Sequence, residues 1–198
     1  IKKDDYAFYI IALVIFSFIL RLIIYFLIPI RGWDETVYLN LGQNLSTNFG
    51  NYSLLNLGWS DYIPSSQILY SWPNIGFRAP LLPYTLSVFY FLRLDWLIAF
   101  LMPLIGALSV YLTYILASRL FDKNVGMYSA TIMTFVPVHL YFSAQLLTDV
   151  FVVFFILLTF ISFWKGYEEG SKKHQILFGI FLALSLLARY TTLWIIPI

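Results

Sequence analysis

The sequence predicts an all-α integral membrane protein with about five transmembrane helices and a long outer loop carrying interfacial helices. Composition is the first observation behind that prediction. Hydrophobic residues make up 61% of the chain and charged residues only 11%, whereas a soluble domain carries roughly 25% charge. The second is length: the apolar residues arrive in runs that approach or exceed the roughly 20 needed to cross a hydrocarbon core. The third is the aromatic share of 20%, which suits apolar helices with rings at the interface. A net charge of +2 is too small to imply a nucleic-acid partner. The chain contains no cysteine, so disulfides and thiolate metal sites are excluded.

The elements follow in order. Residues 6–30 form an apolar run interrupted only by Arg21. It is too long for a signal peptide and has no small-residue cleavage site, so it predicts a span. Residues 31–94 then leave the apolar pattern. Within them Val37, Leu41 and Leu45 recur every fourth position, with Asp34, Tyr38 and Gly42 alongside, which predicts a helix. "NFG", residues 48–50, supplies a glycine stop. Further on, "PLLPYTLSVFYFL", residues 80–92, meets Arg93 after about a dozen apolar positions. That is too short to cross and predicts a helix lying on or dipping into the interface. The stretch between them is too rich in Trp, Tyr and Ile for disorder. Residues 95–120, 126–145 and 148–164 are further candidate spans, and 175–188 is a shorter one. "KGYEEGSKKH", residues 165–174, is a solvated turn. Three regions result: a first span (1–30), an extracytoplasmic loop (31–94) and the remaining spans (95–198). The chain starts at Ile1 without Met and stops within an apolar run, so we expect an N-terminal fragment of a longer polytopic protein, inactive by itself.

Lysine placement sets the expected sidedness. With five spans and a cytoplasmic N-terminus, Lys2, Lys3, Lys123, Lys165, Lys172 and Lys173 all face inward, joined by Arg119. The outer segments keep Arg31, Arg78, Arg93 and Arg189 but no lysine. Were residues 80–92 a span, Lys165, Lys172 and Lys173 would face outward against the positive-inside rule.

The outer face thus gathers Asp34, Glu35, Asp61, Asp95 and Asp149 with four arginines. A carboxylate there can take a proton from a hydroxyl nucleophile while arginines hold a phosphate leaving group. Plainer roles stand beside each residue. Asp34, Asp95 and Asp149 each sit where a helix N-cap is expected, and Glu35 in a first helical turn suits the macrodipole. Arg31, Arg78 and Arg93 can meet lipid phosphates. Arg21, inside a span, must face the bundle or reach outward, and a lone helical His139 is more often structural. "NLS" at Asn44 and "NYS" at Asn51 match glycosylation sequons, a pattern that arises easily by chance.

Taken together, an Arg-bearing first helix, "RGWDETVYLNLGQNL", "RAPLLPYTLSVFYFL", "LLTDVFVVFFILL" and "LLARYTTLWIIP" occur in that order. This order resembles the N-terminal half of polyprenyl-phosphate-dependent membrane glycosyltransferases of the GT-C class. It is most similar to the group of protein O-mannosyltransferases and lipid A aminoarabinose transferases. The most specific element is Asp34-Glu35-Thr36-Val37-Tyr38. The resemblance implies Asp34 as general base toward an acceptor hydroxyl, with Glu35 helping to position acceptor or sugar. It implies Tyr38, Arg78, Asp149 and Arg189 as substrate-binding residues, the two arginines gripping the lipid phosphate. Relatives often carry Lys at the position of Arg189. The partners implied are a polyprenyl-phosphate sugar, a protein, lipid or glycan acceptor, and the bilayer. Transfer would occur with inversion on the extracytoplasmic side of a plasma membrane, or in the endoplasmic reticulum of a eukaryote. No nucleotide cofactor is expected, and a divalent cation held by Asp34 and Asp149 stays open. The alternative is a polytopic transporter or a non-catalytic membrane protein. Its ionisable groups would be expected near the midplane.

Overall fold

The computed structural model describes residues 5–28, 32–50, 52 and 78–195. Among them every regular element is helical, and the chain is an all-α membrane protein. The apolar run that holds Arg21 forms α1, Asp5–Leu27. The helix predicted from Val37, Leu41 and Leu45 is α2, Trp33–Thr47, and all three of those residues are buried. The short apolar segment after Arg78 is α3, Leu81–Phe91. A 3-10 turn, Asp95–Leu97, leads into α4, Ile98–Leu120. The next apolar run is divided into α5, Lys123–Phe135, and α6, Pro137–Ser143. Then come α7, Thr148–Glu168, and α8, Lys172–Ala188, before a closing 3-10 segment, Tyr190–Ile195.

Among the described residues three helices are long and apolar enough to cross a membrane: α1, α4 with its 3-10 lead, and α7. A fourth crossing is counted if α5 and α6, bent by 62°, act as one span. The fifth expected span, α8, has 17 residues, about 25 Å, and is not among the helices counted as crossings. The break between α5 and α6 follows from Pro137. The residue before a proline is pushed out of the helical region, and Val136 has ψ 114°. Arg31, Asp61, Lys2, Lys3 and Asn51, and residues 53–77 of the connection between α2 and α3, lie outside the described residues.

Packing explains how the helices position the site. Gly42 of α2 meets α3 so closely that a Cβ there would stand 2.6 Å from the Leu86 Cβ. Tyr38, Leu82, Leu86, Ile98, Met102 and Phe151 share one buried cluster, which draws α2, α3, α4 and α7 together. A second cluster, Ile10, Val110 and Ala130, joins α1, α4 and α5. Large apolar side chains such as Phe8, Ile15, Ile23 and Phe26 of α1 stay exposed, as a lipid-facing surface requires. Asn44 is buried within α2, so the first sequon is not presented at the surface.

The two ends of the bundle differ in charge. Arg119, at the end of α4, binds Glu168, the last residue of α7, and Glu169, its C-cap, at 3.0 and 2.7 Å. Lys165 lies in the last turn of α7 and Lys172 opens α8. Lys123 sits 5.7 Å above the Tyr6 ring of α1. All the described lysines therefore belong to one end, and Asp149, at the start of α7, belongs to the other, about 30 Å away along that helix.

Candidate active site

Two short polar interruptions in apolar sequence build the site. The first is the start of α2. Gly32 occupies the N-cap in an extended conformation without a side-chain cap, and Asp34 is the second helical residue. The capping role expected for Asp34 is therefore not the one it performs. Its carboxylate Oδ1 accepts from Nη2 of Arg78, which arrives from the segment before α3. One turn further along α2, Tyr38 presents its ring to the same guanidinium, 5.5 Å from the ring centroid. Residues four apart share a helix face, so the spacing of Asp34 and Tyr38 puts both against Arg78. Burial works against the Arg78 charge, but the hydrogen bonds and charges of Asp34 and Tyr38 together more than offset it, and its pKa lies above the ordinary guanidinium value.

Tyr52 anchors this corner from behind. Its hydroxyl donates to the Arg78 carbonyl at 2.8 Å. Its ring stacks near Tyr84 of α3, centroid to centroid 6.3 Å. Burial, reinforced by neighbouring tyrosines, pushes the Tyr52 phenol well above the ordinary range, so it stays protonated and donates.

The second interruption pairs the start of α7 with the end of α8. Leu147 is the N-cap of α7, with no side-chain cap, so Asp149 does not cap its helix either. Its Oδ1 accepts from Nη1 of Arg189, the residue that ends α8. Both Asp–Arg pairs line one cleft of about 210 Å³, with Tyr38, Thr148, Tyr190 and Thr191 among its walls. The pairs are formally neutral together. A guanidinium has five N–H groups to offer, so Arg189, which gives one to Asp149, can grip a bound oxyanion without removing its aspartate.

Other expected site residues fall elsewhere. Glu35 is buried, with 3% exposure, and is not among the cleft-lining residues. Asp95 is exposed in the 3-10 turn and caps nothing. Arg93 is exposed just past α3. The carboxylate that caps a helix is Asp122, which accepts from the N–H groups of Asn124 and Val125 at 2.7 and 2.9 Å. Among the described residues no group of three or more His, Asp or Glu side chains converges as a metal site. A cation in the cleft would have Asp34 and Asp149 as carboxylate ligands, each already bound by arginine.

Thr148, Tyr190 and Thr191 were not read from the sequence as site residues, although "TD" and "RYTT" are polar breaks in apolar runs that mark them. Tyr52 carried no comparable signal: one tyrosine among 15 is distinguished only by what it reaches. Residues 77–198, more than half of the chain, match the family described as dolichyl-phosphate-mannose-protein mannosyltransferase. The match begins one residue before Arg78 and takes in Asp149 and Arg189, while Asp34 and Tyr38 precede it. No curated protein matches the chain.

Proposed function

The chain belongs to the dolichyl-phosphate-mannose-protein mannosyltransferase family, a family of membrane glycosyltransferases that use a lipid-linked sugar, and from that premise we propose that the cleft is its transfer site. The donor is a sugar on a polyprenyl phosphate, dolichyl or undecaprenyl. The acceptor is a hydroxyl on a protein, lipid or glycan, and the reaction takes place on the extracytoplasmic face. The observation that carries this reading is the meeting of two Asp–Arg pairs in one cleft at the end of the membrane bundle away from the described lysines.

The division of labour follows from the chemistry. Asp34 takes the acceptor's hydroxyl proton as its oxygen attacks the anomeric carbon. The bond from that carbon to the phosphate oxygen breaks, and the configuration inverts. Negative charge grows on the departing phosphate, where Arg78 and Arg189 hold it through charge-assisted hydrogen bonds. Tyr38 keeps Arg78 in place through its ring, and Asp149 does the same for Arg189. Glu35 supports α2 from its buried side. The lipid phosphate supplies the activation, so no nucleotide is needed at this step. A polyprenyl chain dissolved in the bilayer places its head group at the interface, where the short helices α2 and α3 would recline. Lysine distribution supports an extracytoplasmic cleft, in a plasma membrane or, in a eukaryote, the endoplasmic reticulum.

The test is Asp34→Asn in full-length protein reconstituted with a polyprenyl-phosphate sugar and an acceptor. The amide keeps the shape but cannot take the proton. We expect turnover to fall by about 10²–10⁴-fold, with donor binding retained. Transfer at the wild-type rate would remove Asp34 as the base.

A further inference from the structure

Arg21 sits in the middle of an apolar helix with none of its surface exposed, and the transfer chemistry does not use it. What surrounds it explains its presence. Pro137 has no N–H, so the carbonyl four residues earlier, that of Met133, loses its normal helical partner. In a membrane such a carbonyl cannot turn to water. Nη2 of Arg21 donates to it at 3.4 Å. The same nitrogen meets Nδ1 of His139 at 3.0 Å, one turn into α6. Arginine can only donate, so His139 accepts there and carries its proton on Nε2. Nη1 donates to the Ser17 carbonyl at 3.1 Å and to the Ser17 hydroxyl. The cation also faces the C-terminal end of α5, where the helix dipole is negative.

The space is prepared on the opposite side. A Cβ on Gly106 of α4 would lie 2.8 Å from Arg21 Nε and 2.6 Å from the Ser143 Cβ. Ser143, the last residue of α6, donates to the His139 carbonyl at 2.7 Å. Arg21 therefore joins α1, the end of α5 and the start of α6 at the 62° break. Four residues after Ser143 comes Leu147, the N-cap of α7, and then Thr148 and Asp149 in the cleft.

We propose that Arg21 is a positioning residue: it fixes the proline break of the third crossing and, through α6, sets where Thr148 and Asp149 stand against Arg189. The consequence for transfer rests on the reading of the cleft as the donor site, while the consequence for the break does not.

Spin labels test the break directly in full-length protein, because residues 1–198 have no cysteine and any elsewhere is first exchanged for serine. Cysteines at the exposed positions Tyr128 in α5 and Val138 in α6 report the bend. A pair at Tyr111 in α4 and Tyr128 is the control. In bilayer nanodiscs the wild type gives one narrow distance for each pair. Arg21→Gln broadens or shifts the Tyr128–Val138 distance and leaves the control unchanged. With a polyprenyl-phosphate sugar it also lowers kcat/KM about tenfold or more, the loss falling on donor KM. Arg21→Lys keeps the charge but not the fork, so it lies between wild type and Gln and serves if the Gln variant does not fold. Adding Pro137→Ala to Arg21→Gln restores an N–H for Met133 and narrows the distance at a straighter angle, without recovering donor KM. A wild-type distance in Arg21→Gln, or in Arg21→Lys if that alone folds, overturns the proposal. So does an altered distance with unchanged donor KM. If the wild-type protein turns over no lipid-linked sugar, the transfer reading fails, and the distance measurements still decide the role at the break.

Discussion

Arg189 and Tyr52 show what single side chains contribute to the cleft. Arg189 binds Asp149, yet a lysine could carry the same charge to the same place. Arg189→Lys should therefore keep transfer within about threefold of wild type. Arg189→Gln should raise donor KM by about tenfold or more, the scale of a lost charge-assisted hydrogen bond. Steady-state kinetics at fixed acceptor separates the two. Tyr52 acts one step back, on the backbone of Arg78. Tyr52→Phe deletes that hydrogen bond and should cost about 1 kcal/mol, read as an increase in donor KM of several-fold with kcat little changed. At this scale the sequence was partly legible. Asp34, Tyr38, Arg78, Asp149 and Arg189 were all singled out, and all five meet in one cleft. Their partners could not be read, because pairing between residues 34 and 78, or 149 and 189, is a property of packing. N-cap positions misled for the same reason: Asp34 and Asp149, expected as caps, each sit two residues past the actual N-cap, Gly32 or Leu147, and their carboxylates turn to arginines from other segments.

Among the elements, α3 carries the most local information. It ends in a left-handed residue: Arg93 has φ 57°, with Leu94 N–H bonding to the Phe89 carbonyl at 2.8 Å and Arg93 N–H to the Tyr90 carbonyl at 3.0 Å. That hydrogen-bond pattern usually has glycine at this position. Arg93→Gly should thus stabilise the protein by about 0.5–1 kcal/mol, measured as a higher Tm in detergent, with transfer unaffected because Arg93 lies outside the cleft. Equal or lower stability would mean that the arginine side chain holds α3 in place. Helix positions were readable from apolar run length and from the four-residue repeat of Val37, Leu41 and Leu45. The break in the third crossing was less so. Pro137 was visible, but a proline alone does not say whether a span kinks, breaks or re-enters. That depends on whether a donor is near the freed carbonyl, and the donor, Arg21, comes from a helix over 100 residues earlier.

For the whole molecule, the two ends of the bundle have opposite chemical characters. One collects Arg119, Lys123, Lys165 and Lys172, the other the paired carboxylates and guanidinium groups of the cleft. Lysine distribution made this asymmetry readable before any geometry was known, since the bilayer sorts loop charge by side. The packing that brings the start of α2 beside the end of α8 was beyond such reading, because two apolar helices offer the same surface to many partners. As proposed, the cleft opens on the extracytoplasmic side and receives a polyprenyl phosphate there. Tyr190 lines the cleft and is exposed, so Tyr190→Cys, in protein freed of any cysteine beyond residues 1–198, puts a single thiol at its mouth. An extracytoplasmic donor cleft gives labelling by a membrane-impermeant maleimide in sealed right-side-out vesicles, slowed by added polyprenyl phosphate. Labelling that requires permeabilised or inverted vesicles, or that polyprenyl phosphate leaves unchanged, would contradict it.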